Sequence, residues 1–119
     1  MIILSLGSNL PSHFGNRFDN LKFAMYLLES YGIEIDKKSS FYETPSYPNK
    51  NNPKFVNMVI SIKTNLSPVD LISVLIHIEE KLGRRRNKKN DPRTCDIDII
   101  DYKGFVKLTV ENSRVQNWL

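Results

Sequence analysis

Asp96 and Asp98 stand two residues apart in the run Thr94-Cys95-Asp96-Ile97-Asp98-Ile99-Ile100-Asp101. In an extended strand, alternate residues share a face. Cys95, Ile97 and Ile99 then form an apolar side, and the two carboxylates share the other, about 7 Å apart. Two acids so placed repel each other unless a cation joins them, and hard oxygen ligands suit Mg²⁺. A solvated strand face would show the same two acids. Arg93 lies three residues before Asp96, and Arg84-Arg85-Arg86 lies just upstream. Carboxylates for a metal, set beside arginines for phosphate, are the equipment of phosphoryl transfer, in which a protein supplies positioning and charge compensation. For Arg84 to Lys89 the alternative is a solvated basic loop. With no apolar residue between Arg84 and Asp91, that loop is expected to move.

Asn57 interrupts an apolar strand and shares its face with Phe55. An aromatic ring and an amide on one sheet face can stack on and hydrogen-bond a flat heterocycle. A sheet-surface pair without a ligand fits the same two residues. Glu79 sits beside the apolar stripe of a helix, either as an exposed acid or as a tether for a loop at the site.

The chain that carries these residues has 119 positions, enough for one domain with one core. At 40% hydrophobic and 25% charged it has the composition of a soluble globular protein. One cysteine excludes a disulfide framework and a cysteine-based zinc site. No apolar run approaches the ~20 residues of a membrane span. The opening MIILSLGSN lacks a basic segment and is too short for a secretory signal. The cytoplasm is the expected compartment, with no membrane partner. The net charge of +4 is local in origin. Residues 81–93 hold seven bases and one acid, a net +6, whereas the rest holds 10 bases and 12 acids. Such a patch suits a polyphosphate or a nucleic acid backbone.

The elements that position these groups follow from periodicity. Ile2 to Gly7 reads as a buried strand. Phe18, Leu21, Met25 and Leu28, with Ala24 beside them, predict a helix over Arg17 to Tyr31, closed by Gly32. Ile33 to Tyr42 reads as a second strand, and Thr44 to Pro53 as a loop with three prolines and three asparagines. Phe55 to Thr64 alternates cleanly, with Val56, Met58, Ile60 and Ile62 on one face. Ser67 as N-cap, Pro68 and Asp70 open a second helix with Leu71, Leu75, Ile78 and Leu82 along its stripe, and Gly83 ends it. Thr94 to Tyr102 is a strand, which Lys103-Gly104 turns into an extra C-terminal one over Phe105 to Val110. The order βαββαβ predicts an α+β, ferredoxin-like domain: an antiparallel sheet with both helices on one face. The other face is left for ligand or solvent.

In order along the chain, LGSNL (6–10), SSFYETP (39–45), PKFVNMVISIKTNLSPVDL (53–71), HIEEKLGRRR (77–86) and DPRTCDIDII (91–100) resemble the 6-hydroxymethyl-7,8-dihydropterin pyrophosphokinase family. The resemblance runs from Leu4 to about Tyr102 and rests most on the IE-x-x-x-GR and PRT-x-D-x-D elements. It implies a folate-pathway enzyme that moves pyrophosphate from ATP to the hydroxymethyl group of the reduced pterin, leaving AMP. Asp96 and Asp98 correspond to the ligands of two Mg²⁺ ions. Arg84 and Arg93 correspond to phosphate-binding arginines, and Arg86 and Ile99 to further ATP-side positions. Thr44, Pro45, Phe55 and Asn57 correspond to the pterin pocket, and Asn9 and Glu79 to positions that support the site. The partners implied are ATP and the pterin, taken by a monomer that binds no nucleic acid.

The chain departs from the family pattern in places. Asp91 replaces a common Gly, and the loop before it carries no Trp. The family's Pro-His pair, and its later Arg and Phe, have no counterpart after the strand hairpin. A C-terminally short domain over 1–119 is therefore expected, with weakened turnover. The competing readings are a relative that binds nucleotide or pterin without efficient turnover, and an RNA-binding βαββαβ module. The RNA module would need aromatics on its central strands, where this chain offers Asp96 and Asp98.

Overall fold

A computed structural model describes residues 1–46, 50–83 and 92–108, with the main chain alone for 105–108. Its elements run β1 (Ile2–Ser8), α1 (Arg17–Ser30), β2 (Glu34–Lys38), β3 (Tyr42–Thr44), β4 (Phe55–Lys63), α2 (Pro68–Lys81), β5 (Asp96–Tyr102) and β6 (Phe105–Leu108). The strands form one six-stranded sheet in the order β2-β4-β1-β5-β6, with β3 also paired to β4. Every pairing is antiparallel. With β2 and β3 taken as one interrupted strand, this is the strand order of the ferredoxin-like α+β fold.

One face of the sheet is apolar because alternate residues of each central strand are. Leu4 and Leu6 of β1, Val56, Met58, Ile60 and Ile62 of β4, and Ile97 and Ile99 of β5 are all buried. Leu21, Ala24, Leu27 and Leu28 of α1 and Leu71, Leu75 and Ile78 of α2 pack against them. Each buried leucine or isoleucine contributes on the order of 1.5–3 kcal/mol relative to exposure. Both helices therefore lie on that face, as the periodicity predicts. Among the described residues no helix is long and apolar enough to cross a membrane.

Local chemistry sets the boundaries. The Asn16 side chain accepts from Asp19 N, and the Asp19 carboxylate accepts from Asn16 N, a reciprocal cap that starts α1. Gly32, at φ +80°, lets the chain leave it. Ser67 caps α2 through Asp70 N at 3.2 Å, with Pro68 behind it. Lys103 (φ +52°) and Gly104 (φ +100°) give the β5–β6 hairpin positive φ at both central residues, the pattern of a type I′ turn.

The second strand differs from the expectation. Ile33 to Tyr42 is not continuous: β2 stops at Lys38, and β3 resumes at Tyr42 and runs on to Thr44. The Ser39 hydroxyl accepts from Val59 N at 2.9 Å, while Ser39 N donates to Val59 O at 2.8 Å. A side chain thus substitutes for a ladder carbonyl and breaks the strand there. The last long strand starts at Asp96 rather than Thr94, because the Thr94 carbonyl is engaged by a helix side chain (Asn20 Nδ2, 3.1 Å). In the β1–β5 ladder, Ile3 faces Asp101 and Leu4 faces Ile99, so Ile100 is an extra residue, a bulge. The basic loop Arg84 to Asp91, and Thr109 and Val110 of the expected last strand, lie outside the described residues.

Candidate active site on the open sheet face

The face away from the helices carries the polar residues of the same strands. Register places Tyr42, Asn57, Gly7 and Asp96 in one row across β3, β4, β1 and β5. The next row, two residues along, runs Val59, Ser5, Asp98. On the other side of the first row, Thr44 faces Phe55. Neighbouring strands lie about 4.8 Å apart, so the Asn57 and Asp96 main chains stand about 10 Å from each other. Phe55, Asn57, Asp96 and Asp98 are all half-buried. The fold thus brings the sequence-predicted heterocycle pair and the carboxylate pair onto one surface.

Gly7 forms the floor between them. A Cβ built there would meet Asn57 Oδ1 at 3.1 Å and Phe55 Cδ1 at 3.5 Å. The missing side chain leaves a shallow space bordered by Asn57 and Phe55 on one side and Asp96 on the other. Asn57 Nδ2 donates to Thr44 Oγ1 at 2.8 Å, so β3 holds the amide with its oxygen turned over Gly7. Pro45, next to Thr44, is exposed.

Arg93 Nη1 lies 3.2 Å from Asp96 Oδ2, with both side chains largely shielded from solvent. The guanidinium compensates a carboxylate that the sheet has partly removed from water. Among the described residues, no group of three or more His, Cys, Asp or Glu side chains converges. Two carboxylates on one strand face are a hard-oxygen donor set, and Mg²⁺ usually takes one or two carboxylates and completes its shell with phosphate and water. The donor set fits that ion. Arg84 and Arg86 lie outside the described residues.

Two buried groups hold this surface in place. Asn9, 2% exposed, donates through Nδ2 to Ser46 Oγ and to the Pro53 carbonyl, both at 3.1 Å, and accepts at Oδ1 from Arg93 N at 2.7 Å. It joins the loop after β3 to the segment before β5. Glu79, 1% exposed, accepts from Ile97 N at 2.7 Å. Of the two readings open to it, the exposed acid is wrong. It ties α2 to the main chain between Asp96 and Asp98.

Ile99 is not brought to this surface. Its side chain is 1% exposed, in the core under the helices, with the sheet between it and the two aspartates. Sequence reasoning missed Gly7 and Asn20. Asn20 is fully buried on α1 and bonds to the turn after β1 and to Thr94. The signals were present: a glycine in phase with Ser5 on a strand, and an amide four residues before Ala24 on the apolar side of a helix.

The model of the 7,8-dihydro-6-hydroxymethylpterin-pyrophosphokinase (HPPK) family matches residues 3–118, well past Tyr102. The chain is 38% identical over 98 residues to a 2-amino-4-hydroxy-6-hydroxymethyldihydropteridine pyrophosphokinase of Bacillus subtilis, covering 82% of this chain and 56% of that protein. A namesake from Aquifex aeolicus is 36% identical over 105 residues, 88% of this chain and 62% of its own length. A folate synthesis bifunctional protein of Arabidopsis thaliana is 38% identical over 102 residues, 85% of this chain and 20% of that protein. The chain thus spans a little over half of these bacterial relatives and about a fifth of the bifunctional one. With a family match over nearly every residue, this chain belongs to the 7,8-dihydro-6-hydroxymethylpterin-pyrophosphokinase family.

Proposed function

We propose that this chain transfers pyrophosphate from ATP to 6-hydroxymethyl-7,8-dihydropterin in folate biosynthesis, releasing AMP. The observation that carries the reading is the row Asn57, Gly7, Asp96, which brings the Phe55–Asn57 pair and the two carboxylates onto one sheet face. Relatives named as pyrophosphokinases and as folate synthesis proteins support it.

In this reading Phe55 stacks on the pterin, and the Asn57 amide, steadied by Thr44, hydrogen-bonds its edge; Pro45 borders the pocket. The ring rests over Gly7, so that its hydroxymethyl group points along the row toward Asp96. Asp96 and Asp98 would hold two Mg²⁺ ions. When bound, the metal neutralises charge on the polyphosphate and orients it. Arg93, paired with Asp96 in the free chain, would contribute its guanidinium to the phosphates, and Arg84 and Arg86 would add to the phosphate site. The hydroxymethyl oxygen loses its proton to solvent and bonds to the β-phosphorus, and the bond from that phosphorus to the bridging oxygen breaks, leaving that oxygen on AMP. Positioning and charge compensation are the protein's share of the work. Asn9 and Glu79 keep the pieces in register.

The test is AMP release by the purified chain, required to depend on ATP, pterin and Mg²⁺ together. Thermal melting with ATP·Mg²⁺, with a pterin analogue and with single-stranded RNA runs beside it. AMP release with all three components supports the proposal. Stabilisation by nucleotide and pterin without AMP release would make the chain a binding relative. Stabilisation by RNA alone would overturn the pterin reading.

A further inference from the structure

Asn20 has no part in the reaction as described, yet it is a fully buried amide on α1, and its bonds converge behind the site. Its Nδ2 donates to Leu10 O at 2.7 Å, Thr94 O at 3.1 Å and Ser8 Oγ at 3.2 Å, and its Oδ1 accepts from Ser12 Oγ. Ser8, Leu10 and Ser12 flank Asn9, and Thr94 follows Arg93. The Asn9 main-chain nitrogen donates to Arg93 O at 3.0 Å. Two successive carbonyls, those of Arg93 and Thr94, are thus held, one from the turn after β1 and one from the helix. The Thr94 hydroxyl is buried and has no partner among the described residues. Its side-chain oxygen therefore adds nothing to the anchoring of this residue; the carbonyl bond does.

We infer that Asn20 is a positioning residue, which fixes the Arg93–Thr94 main chain and the turn around Asn9 so that Arg93 and Asp96 meet the phosphates in register. The inference rests on the function proposed above. The geometry favours it over a role in packing alone. A buried amide with four polar partners on an otherwise apolar helix face costs desolvation that a leucine would avoid. Every partner lies in the two segments that frame the site. Displacing a catalytic group by an ångström costs as much as a hundredfold in rate, so a helix side chain can govern turnover without touching substrate.

The test compares Asn20→Leu, similarly branched but larger and without polar atoms, and Asn20→Asp, which keeps the acceptor but loses the donor to Thr94 O, with Leu27→Ala. Leu27 is a buried apolar residue of the same helix, outside the site. Each variant is studied well below its melting temperature. Amide exchange at Arg93 reports positioning whether or not the chain turns over. It is expected to speed up roughly tenfold or more in both Asn20 variants and to stay unchanged in Leu27→Ala. For AMP release, kcat is expected to fall roughly tenfold or more in the Asn20 variants, with KM for ATP and pterin within about threefold. Leu27→Ala is expected to lower the melting temperature and leave kcat unchanged. If the parent releases no AMP, the proposed function fails while the exchange measurement still decides the role of Asn20. Exchange at Arg93 equal to that of the parent would overturn the inference. So would a KM rise with unchanged kcat, or failure of both Asn20 variants to fold, which would make the residue a stability element only.

Discussion

Asn9 and Arg93 are joined twice: Arg93 N donates to Asn9 Oδ1 at 2.7 Å, and Asn9 N donates to Arg93 O at 3.0 Å. The remaining donors of the same amide reach Ser46 Oγ and Pro53 O, at the two ends of the loop beside Thr44 and Phe55. One side chain therefore spans the border between the proposed phosphate side and the proposed pterin side. In the proposed function, ordering of Arg93 by nucleotide would be transmitted through it to the loop beside Thr44 and Phe55. Pterin-analogue affinity is expected to rise when a non-hydrolysable ATP analogue and Mg²⁺ are present, and Asn9→Ala is expected to abolish most of that gain. Calorimetry with and without the analogue measures it; equal gains in parent and variant would refute the coupling. The orphaned buried groups are expected to cost about 1–3 kcal/mol of stability each.

Replacing Asp98 with Ala tests the metal assignment. Its side chain projects from the open face opposite Ser5, away from the core, so the fold is expected to be retained. Metal-dependent turnover is expected to fall roughly a hundredfold or more, the scale of losing one strong electrostatic contact at a transferring group. Turnover within about tenfold of the parent would remove Asp98 from the metal site.

Gly7→Ala tests the floor of the pocket. The added methyl would stand 3.1 Å from Asn57 Oδ1, closer than most Cβ contacts, and occupy the space proposed for a flat ring. Pterin-analogue affinity is expected to drop roughly tenfold, about 1.4 kcal/mol, with ATP·Mg²⁺ affinity unchanged. An equal loss for both ligands, read by calorimetry, would point to a sheet distortion instead.

Glu79 offers a test that separates structure from chemistry. Glu79→Leu leaves the Ile97 N–H without its acceptor and is expected to cost about 1–3 kcal/mol. Glu79→Gln keeps a carbonyl oxygen in reach and is expected to recover most of that loss in denaturant melts. If Gln proves as damaging as Leu, the negative charge itself is required and the tether account is incomplete.

Much of this was legible in the sequence because the informative signals were periodic. Alternation in Phe55–Lys63 and Asp96–Ile99 assigned the faces of β4 and β5, and with them the shared surface of Asn57, Asp96 and Asp98. The capping serine and proline fixed the start of α2. What periodicity does not encode is pairing across distance. The break at Ser39 arises from its bond to Val59, twenty residues away, and no local propensity reports it. Asn9, Asn20 and Glu79 are polar residues in buried places, and their partners are main-chain groups whose positions only the fold defines. Ile99 shows the reverse case: its match to a family position pointed to ATP, whereas the alternation that sets Asp98 outward sets Ile99 inward.

The extra residue at Ile100 gives β5 two phases. Before it, odd-numbered residues face the helices, through Ile97 and Ile99; after it, the buried residue is Tyr102, whose hydroxyl donates to Leu66 O at 2.6 Å. A strand of strict alternation could not bury both Ile99 and Tyr102. The bulge thus decouples two demands on one strand. Its far end is anchored by a large aromatic of even number, while its near end presents two acids of even number to the open side. Deleting Ile100 would bring Tyr102 directly into phase with Ile99, so the aromatic anchor and the outward acids would both keep their faces. A one-residue deletion there is therefore expected to flatten the strand without turning the site, whereas a second residue inserted beside Ile100, with the bulge kept, would turn one end against the other by half a turn.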